Sequence, residues 1–263
     1  MDNLFLFTGN GYMIDKNLSS LRKKLAIQME ELNVTVFKDM PSVDELIGVC
    51  CQVPFMSDKR LVVCKELSLL SPKSSKEEGK KLADFFEQLP DTTVLIMCFM
   101  GAPDKRRTLY KQIKKMGSVF DYPEPKADVC IKFAVDEAKR NGTVIKRPSA
   151  ELLVNTVGCD YYAIENEIAK LAVFTGGKEI KQEHVKQCAS KSLEYNVFEM
   201  HNLLVGKKAN DAFSLLEEIL FDGRPEALIG LIAYNLREMY KVRAMMDVSF
   251  SESRIAQTLK TRD

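Results

Sequence analysis

Residues 3–14, which read NLFLFTGNGYMI, decide the fold of this chain. An apolar, strand-like run leads straight into a turn built from Gly9, Asn10 and Gly11. Nucleotide-binding α/β domains place their phosphate loop at this point, directly after the first strand. The opening of the chain therefore predicts a domain of that architecture.

The glycine turn departs from a working phosphate loop. Such a loop reads GxxxxGK[ST], in which the lysine contacts the β- and γ-phosphates and the hydroxyl binds the metal ion. Here Ile14 stands five positions after Gly9, and Asp15, Lys16 and Asn17 lie near the expected glycine, lysine and hydroxyl. The acid beside the only candidate lysine would repel phosphate. We therefore predict a degenerate loop that binds no nucleotide cofactor. The domain would keep an NTPase-like architecture without NTPase activity.

Strands and helices alternate through the first 122 residues. Short apolar or β-branched runs predict strands, and apolar residues at a helical spacing separate them. Alternating elements of this kind predict a parallel sheet with helices on both of its faces. The predicted strands are residues 4–7, 34–37, 61–64, 93–99 and 118–121, and predicted helices include 42–51 and 104–116.

A proline-rich segment, residues 122–126, ends this pattern. It reads YPEPK, and two prolines in three residues fit neither the interior of a sheet nor that of a helix. The sequence after it has helical periodicity throughout, with a second break near residues 193–196. We predict an α/β domain over 1–122, a small all-α domain over 123–193 and a further all-α domain over 194–263.

Composition excludes several classes of protein. The 38 basic and 37 acidic side chains give a net charge of +1, so no global attraction to nucleic acid or membranes is expected. The seven cysteines lack the CxxC spacing of zinc sites, and no metal site is predicted. Cys64 and Cys98 lie within apolar strands, where a free thiol packs as a small core residue. We expect a reduced, cytoplasmic protein.

Three stretches resemble the delta subunit of bacterial DNA polymerase III. They are FLFTGNGYMI at 5–14, PFMSDKRLVV at 54–63 and DKRRTLYK at 104–111. Residues 158–171 resemble the second domain of that family, and NVFE at 196–199 resembles the entry to its third. The similarity covers essentially the whole chain, and the motifs occur in order and at sensible spacing.

The resemblance implies a clamp-loader subunit with an AAA+-like domain, a helical lid and a helical collar. Members of this family bind and open the sliding clamp, the polymerase III beta subunit, and hydrolyse no ATP. Implied partners are the gamma/tau motor subunits, the delta-prime subunit and primed DNA. The family usually continues through more collar helices, so a partial collar is expected. The chain would be a non-catalytic subunit of a DNA-directed DNA polymerase holoenzyme.

Pro54, Phe55 and Met56 are the candidate clamp-binding residues. They lie between a predicted helix and a strand, followed by polar residues. A phenylalanine and a methionine at a loop tip suit an apolar groove on a partner. The alternative is that Phe55 folds back into the core of its own domain. The resemblance favours clamp contact, since the family inserts a hydrophobic pair at this place.

The most basic stretch of the chain supplies candidate DNA contacts. On a helix, Arg107, Lys111 and either Lys114 or Lys115 would share one face, which could follow a phosphate backbone. Such a face is more often only solvated, and no aromatic residues alternate with the charges.

Two other classes of protein share some of these features. A P-loop-like kinase or NTPase needs the GK[ST] group and an acid at the end of the central strand, where residues 99–102 supply none. A helical DNA-binding regulator needs concentrated positive charge in its helical half, which this sequence lacks.

Overall fold

The computed structural model describes residues 3–221 and 225–259. The chain forms two compact units, Met1–Pro125 and Lys126–Asp263. The finer division into three domains, with limits at 122 and 193, stays a prediction.

The first unit is an α/β domain. Its strands and helices alternate because short β-branched or apolar runs are separated by capped, amphipathic segments. Its strands are β1 (Leu4–Gly9), β2 (Val34–Phe37), β3 (Arg60–Cys64), β4 (Thr93–Met100) and β5 (Ser118–Tyr122). Its helices are α1 (Gly11–Leu25), α2 (Glu30–Asn33), α3 (Val43–Cys50), α4 (Lys76–Phe85) and α5 (Thr108–Met116), with 3₁₀ turns at Ser68–Leu70 and Phe86–Gln88.

The five strands form one parallel sheet in the order β2-β3-β4-β1-β5. β4 lies at the centre, and its residues 93–99 are all buried, as expected for a continuous apolar strand covered on both faces. One apolar core includes Leu6 and Met97 with helices α3, α4 and α5, and a second includes Phe7 and Ile96 with α1. The predicted α/β fold is confirmed.

The predicted helix over 104–116 begins later than expected. α5 starts at Thr108, and Asp104 lies in the preceding turn. Its carboxylate accepts hydrogen bonds from the Arg106 backbone N–H at 3.1 Å and from the Arg106 Nε at 2.9 Å. Asp104 therefore caps a turn and lies outside the helix.

The second unit is helical, as the periodicity predicted. Ile145 and Ile180 form an isolated parallel bridge within it. Among the described residues, no helix is long and apolar enough to cross a membrane. The helices are α6 (Ala127–Arg140), α7 (Arg147–Val157), α8 (Tyr161–Phe174), α9 (Gln182–Cys188), α10 (Leu193–Val205), α11 (Ala209–Phe221), α12 (Pro225–Asp247) and α13 (Glu252–Leu259).

The apolar face of α12 is only partly buried within the unit. Leu228 is buried against α10 and α11, with Leu231 and Ile232 partly buried beside it. Leu236 and Met239, which follow these residues at helical spacing, are 51% and 48% exposed. α12 thus carries apolar surface that the described residues of this unit leave exposed.

Candidate functional site

The turn after β1 packs against the backbone of the β5 exit. Gly9 has φ +102°, and a Cβ built on it would lie 1.9 Å from the carbonyl oxygen of Tyr122. The backbone N–H of Asn10 donates to that same oxygen at 2.7 Å. The carbonyl oxygen of Gly9 accepts from the N–H of Gly101 at 2.9 Å. The turn is therefore closed by the protein's own backbone where a phosphate loop would face a ligand.

The Glu124 carboxylate lies beside this turn. The Asn10 amide nitrogen donates to Glu124 Oε2 at 2.8 Å, while its oxygen caps α1 by accepting from the Met13 N–H at 3.3 Å. Asp15, further along α1, forms an ion pair of 3.2 Å with Lys65. Negative charge close to a helix N-terminus opposes the binding of a polyanion. Lys16, the candidate phosphate lysine, donates to the Tyr12 hydroxyl.

A second candidate site is the loop between α3 and β3, residues 51–59. Val53, Phe55 and Met56 are 83%, 53% and 72% exposed, so the Phe55 side chain does not fold back into the domain core. Met56 has φ +46°, a left-handed conformation that a residue with a Cβ seldom adopts. Solvent-facing apolar side chains on a strained loop tip are typical of ligand-contact loops.

Asn33 fixes this loop from within the domain. Its side chain is fully buried at the end of α2. The side-chain oxygen accepts from the Phe55 N–H at 2.7 Å, and the amide nitrogen donates to the Phe55 carbonyl oxygen at 2.8 Å. The same nitrogen donates to the carbonyl oxygen of Gln28 at 2.8 Å. Sequence reasoning missed Asn33, because a single asparagine before a strand carries no signal of a bond to a residue so distant in the chain.

Arg60 holds the base of the same loop. It is 8% exposed, and its guanidinium donates to the Leu32 carbonyl oxygen at 3.3 Å and to the Thr35 hydroxyl at 3.2 Å. The start of β3 is thereby tied to the α2–β2 junction. Asn33 and Arg60 together attach the loop to the segment 28–35.

The candidate DNA contacts divide into two groups. Arg107 donates to the carbonyl oxygens of Pro72, Ser74 and Ser75 at 3.1, 2.7 and 3.3 Å, so its guanidinium braces the loop before α4. The other members of the predicted phosphate-contact set are exposed on α5: Lys111, Lys114 and Lys115.

A separate polar cluster lies at the end of β1. Lys105 Nζ donates to Asp121 Oδ2 at 2.8 Å, and the buried Thr8 hydroxyl donates to Asp121 Oδ1 at 3.1 Å. The hydrogen bond from Lys105 lowers the pKa of Asp121, and the bond from Thr8 acts in the same direction. The cluster joins β1, β5 and the turn before α5, which is a structural role.

Two family models match the sequence. Residues 5–123 match the model of the DNA polymerase III delta subunit, and residues 194–263 match the model of its C-terminal domain. Both candidate sites, the turn at 9–11 and the loop at 51–59, lie within the first match.

A sequence and a solved structure, both from Bacillus subtilis, resemble the chain along nearly its whole length. DNA polymerase III subunit delta of strain 168 is 26% identical over 264 residues, covering 97% of this chain and 76% of the relative. The solved structure of the Bacillus subtilis DNA clamp loader delta protein superposes with a TM-score of 0.63 at 26% identity. That match covers 99% of this chain and 80% of the other. The chain belongs to the family of the DNA polymerase III delta subunit.

Proposed function

We propose that this clamp-loader subunit binds the sliding clamp of its replication machinery through Phe55 and Met56, with Pro54 shaping the turn. The observation that carries the proposal is the exposure of Phe55 and Met56, 53% and 72%, on a loop whose backbone is fixed by buried Asn33. The structural likeness to the Bacillus subtilis DNA clamp loader delta protein supports the same role.

The chemistry of the tip fits insertion into an apolar groove. A phenylalanine supplies large, rigid apolar area, and an adjacent methionine adapts its shape to the walls of the groove. A fixed backbone lowers the conformational entropy lost on binding, so more of the burial energy appears as affinity. If the tip binds the open form of the clamp more tightly than the closed form, binding itself shifts the ring toward opening.

We propose further that this chain performs its role without binding or hydrolysing ATP. The closed turn at 9–11, the neighbouring Glu124 carboxylate and the engagement of Lys16 by Tyr12 support this. Triphosphate binding needs a cationic and metal-binding partner for its charge, as well as backbone N–H groups. Energy for the assembly would then come from other subunits.

The helical unit is proposed to join the other clamp-loader subunits, namely the gamma/tau motors and delta-prime. Large exposed apolar side chains on its last helices support a protein-protein surface. The exposed apolar residues are Phe198, Phe213, Phe221, Ile229, Leu236, Met239 and Tyr240.

The exposed lysines of α5 are proposed to approach primed DNA in the assembled complex.

The deciding experiment titrates the full chain against the sliding clamp of its own organism in a calorimeter. We expect saturable binding that needs no ATP, with a complex that survives gel filtration. Mg-ATP titrated alone should give no heat of binding. Failure to bind the clamp, together with ATP binding and turnover, would replace this proposal with the NTPase alternative.

A further inference from the structure

We propose that Asn33 is the positioning residue of the clamp-binding loop, holding Phe55 in its binding conformation before the clamp arrives. This inference rests on the proposed clamp contact and adds a residue remote in sequence from the tip. Asn33 itself is fully buried, so its own side chain is not available for direct contact with a partner.

Two of the three hydrogen bonds of the Asn33 side chain go to the backbone of one residue, Phe55. Its carboxamide offers one acceptor and two N–H donors. The acceptor takes the Phe55 N–H, and the donors reach the carbonyl oxygens of Phe55 and Gln28. The side chain thus pairs with Phe55 as a neighbouring strand would, while its second donor ties that pair to the segment before α2.

This pairing determines where the Phe55 side chain points. With both backbone polar groups of Phe55 bound to the interior, the Cα–Cβ bond has one direction relative to the sheet. Met56 follows in the left-handed region, φ +46°, a conformation that persists only where the surroundings impose it. Without Asn33, the tip would be free to leave this conformation and to sample many others.

Burial strengthens the hydrogen bonds that the Asn33 side chain makes. Asn33 is fully buried, so each of its bonds is shielded from competing water. Alanine at this position would leave the polar groups of Phe55 to water and remove the attachment, while the loop itself stays at the surface. The expected effect is a mobile loop on a folded domain.

The central test is a double-mutant cycle of Asn33→Ala and Phe55→Ala, read out as the dissociation constant for the sliding clamp. Asn33→Ala should weaken binding about tenfold, because the clamp must then order the loop. In the Phe55→Ala background, Asn33→Ala should change affinity less than about twofold, since it no longer has an aromatic side chain to position. If the dissociation constant of the double variant rises by the product of the two single-variant factors, the two residues act independently and the inference is overturned.

Thr8→Val is the matched control for lost stability. Thr8 is also fully buried and its hydroxyl donates a hydrogen bond within the same domain, to Asp121 at 3.1 Å. Thr8→Val should lower the unfolding midpoint and leave clamp affinity unchanged. An equal loss of affinity in Thr8→Val would show that Asn33 acts only through domain stability, and would overturn the positioning role.

A measurement on the unsubstituted chain covers the case in which Asn33→Ala fails to fold. The Phe55 amide hydrogen should exchange with solvent at least about a hundredfold more slowly than in a disordered peptide, because it donates to a buried oxygen. Exchange at the peptide rate would overturn the inference while leaving clamp binding intact. If the unsubstituted chain itself binds no clamp, the proposed function fails and the positioning role with it.

Discussion

The backbone N–H of Asn10 donates to the carbonyl oxygen of Tyr122 at 2.7 Å, joining the turn after the first strand to the end of the last. In a phosphate loop, N–H groups at this turn point at the ligand. Here one of them is bound by the protein, and the Asn10 side chain adds the Glu124 carboxylate beside it. The turn therefore follows the first strand as a phosphate loop would, while the Asn10 N–H and the Asn10 side chain are both bound within the protein.

The first prediction is that ATP does not bind this turn even when the nearby acid is neutralised. Glu124→Gln removes one negative charge but leaves Asn10 bonded to Tyr122, so the N–H cradle stays closed. Calorimetric titration with Mg-ATP should give no binding below millimolar concentration for either protein. Micromolar affinity in the unsubstituted chain would contradict the closed-turn interpretation.

Gly9→Ala should destabilise the α/β unit strongly. The new Cβ would lie 1.9 Å from the Tyr122 oxygen, on a backbone with φ +102°. We expect a loss of about 3 kcal/mol or more, seen as a fall of at least roughly 6 °C in the unfolding midpoint. Gly48→Ala is the control: a Cβ added at this position in α3 meets no neighbouring side chain within 4 Å, so the change should be neutral or stabilising. Equal midpoints for the two variants would show that the turn can relax.

The strands and their order of appearance could be predicted from sequence because buried parallel strands leave continuous apolar runs, as residues 93–99 do. Proline chemistry at 122–126 marks the end of the α/β unit. These signals are local: each depends on residues adjacent in the chain.

The features that the sequence could not predict depend on hydrogen bonds that leave no periodic signal in it. α5 starts four residues later than its periodicity predicts, because the bonds from Arg106 to Asp104 compete with a helical start. Arg107 fits a phosphate-contact face by spacing, whereas its guanidinium reaches carbonyl oxygens in a loop far away in the chain. The hydrogen bonds between Asn33 and Phe55 also join residues distant in the chain, and the periodicity of the sequence does not indicate them.

Arg107→Gln should loosen the loop at 72–75 with little effect on the rest of the domain. The substitution removes three hydrogen bonds to carbonyl oxygens of that loop, and a loss of about 1–2 kcal/mol is expected. Trypsin should then cleave after Lys73 several times faster than in the parent. Lys111→Gln, which removes the same charge from an exposed position, should leave the cleavage rate unchanged. Equal cleavage in both variants would contradict the bracing role.

The raised pKa values of two core thiols predict how the free energy of unfolding changes at high pH. Burial raises the pKa of Cys98 to about 12 and that of Cys64 to about 11, whereas an unfolded thiol ionises near pH 8.5–9. Above pH 9 the unfolded state therefore releases protons that the folded state keeps, and the free energy of unfolding should fall as pH rises. Urea titrations at pH 8 and pH 10 measure the change. In Cys98→Ala the pH-dependent part of the loss should be smaller, and an unchanged pH dependence would contradict the core position of this thiol.

The sharpest prediction concerns Phe55→Ala. A buried aromatic anchor at an interface typically contributes about 2 kcal/mol or more, and about 1.4 kcal/mol is a factor of ten, so clamp affinity should fall tenfold or more. The unfolding midpoint should stay nearly constant, because Phe55 is 53% exposed and its backbone bonds to Asn33 do not involve the ring. Phe174→Ala is the matched control, since Phe174 is 50% exposed on α8 of the other unit and is not expected to touch the clamp. Calorimetric binding and thermal melts of both variants separate the cases. Unaltered affinity in Phe55→Ala would show that the loop is not part of the interface. A loss of roughly 3–5 kcal/mol in the free energy of unfolding, the usual effect of truncating a core phenylalanine, would show that the ring packs in the domain interior.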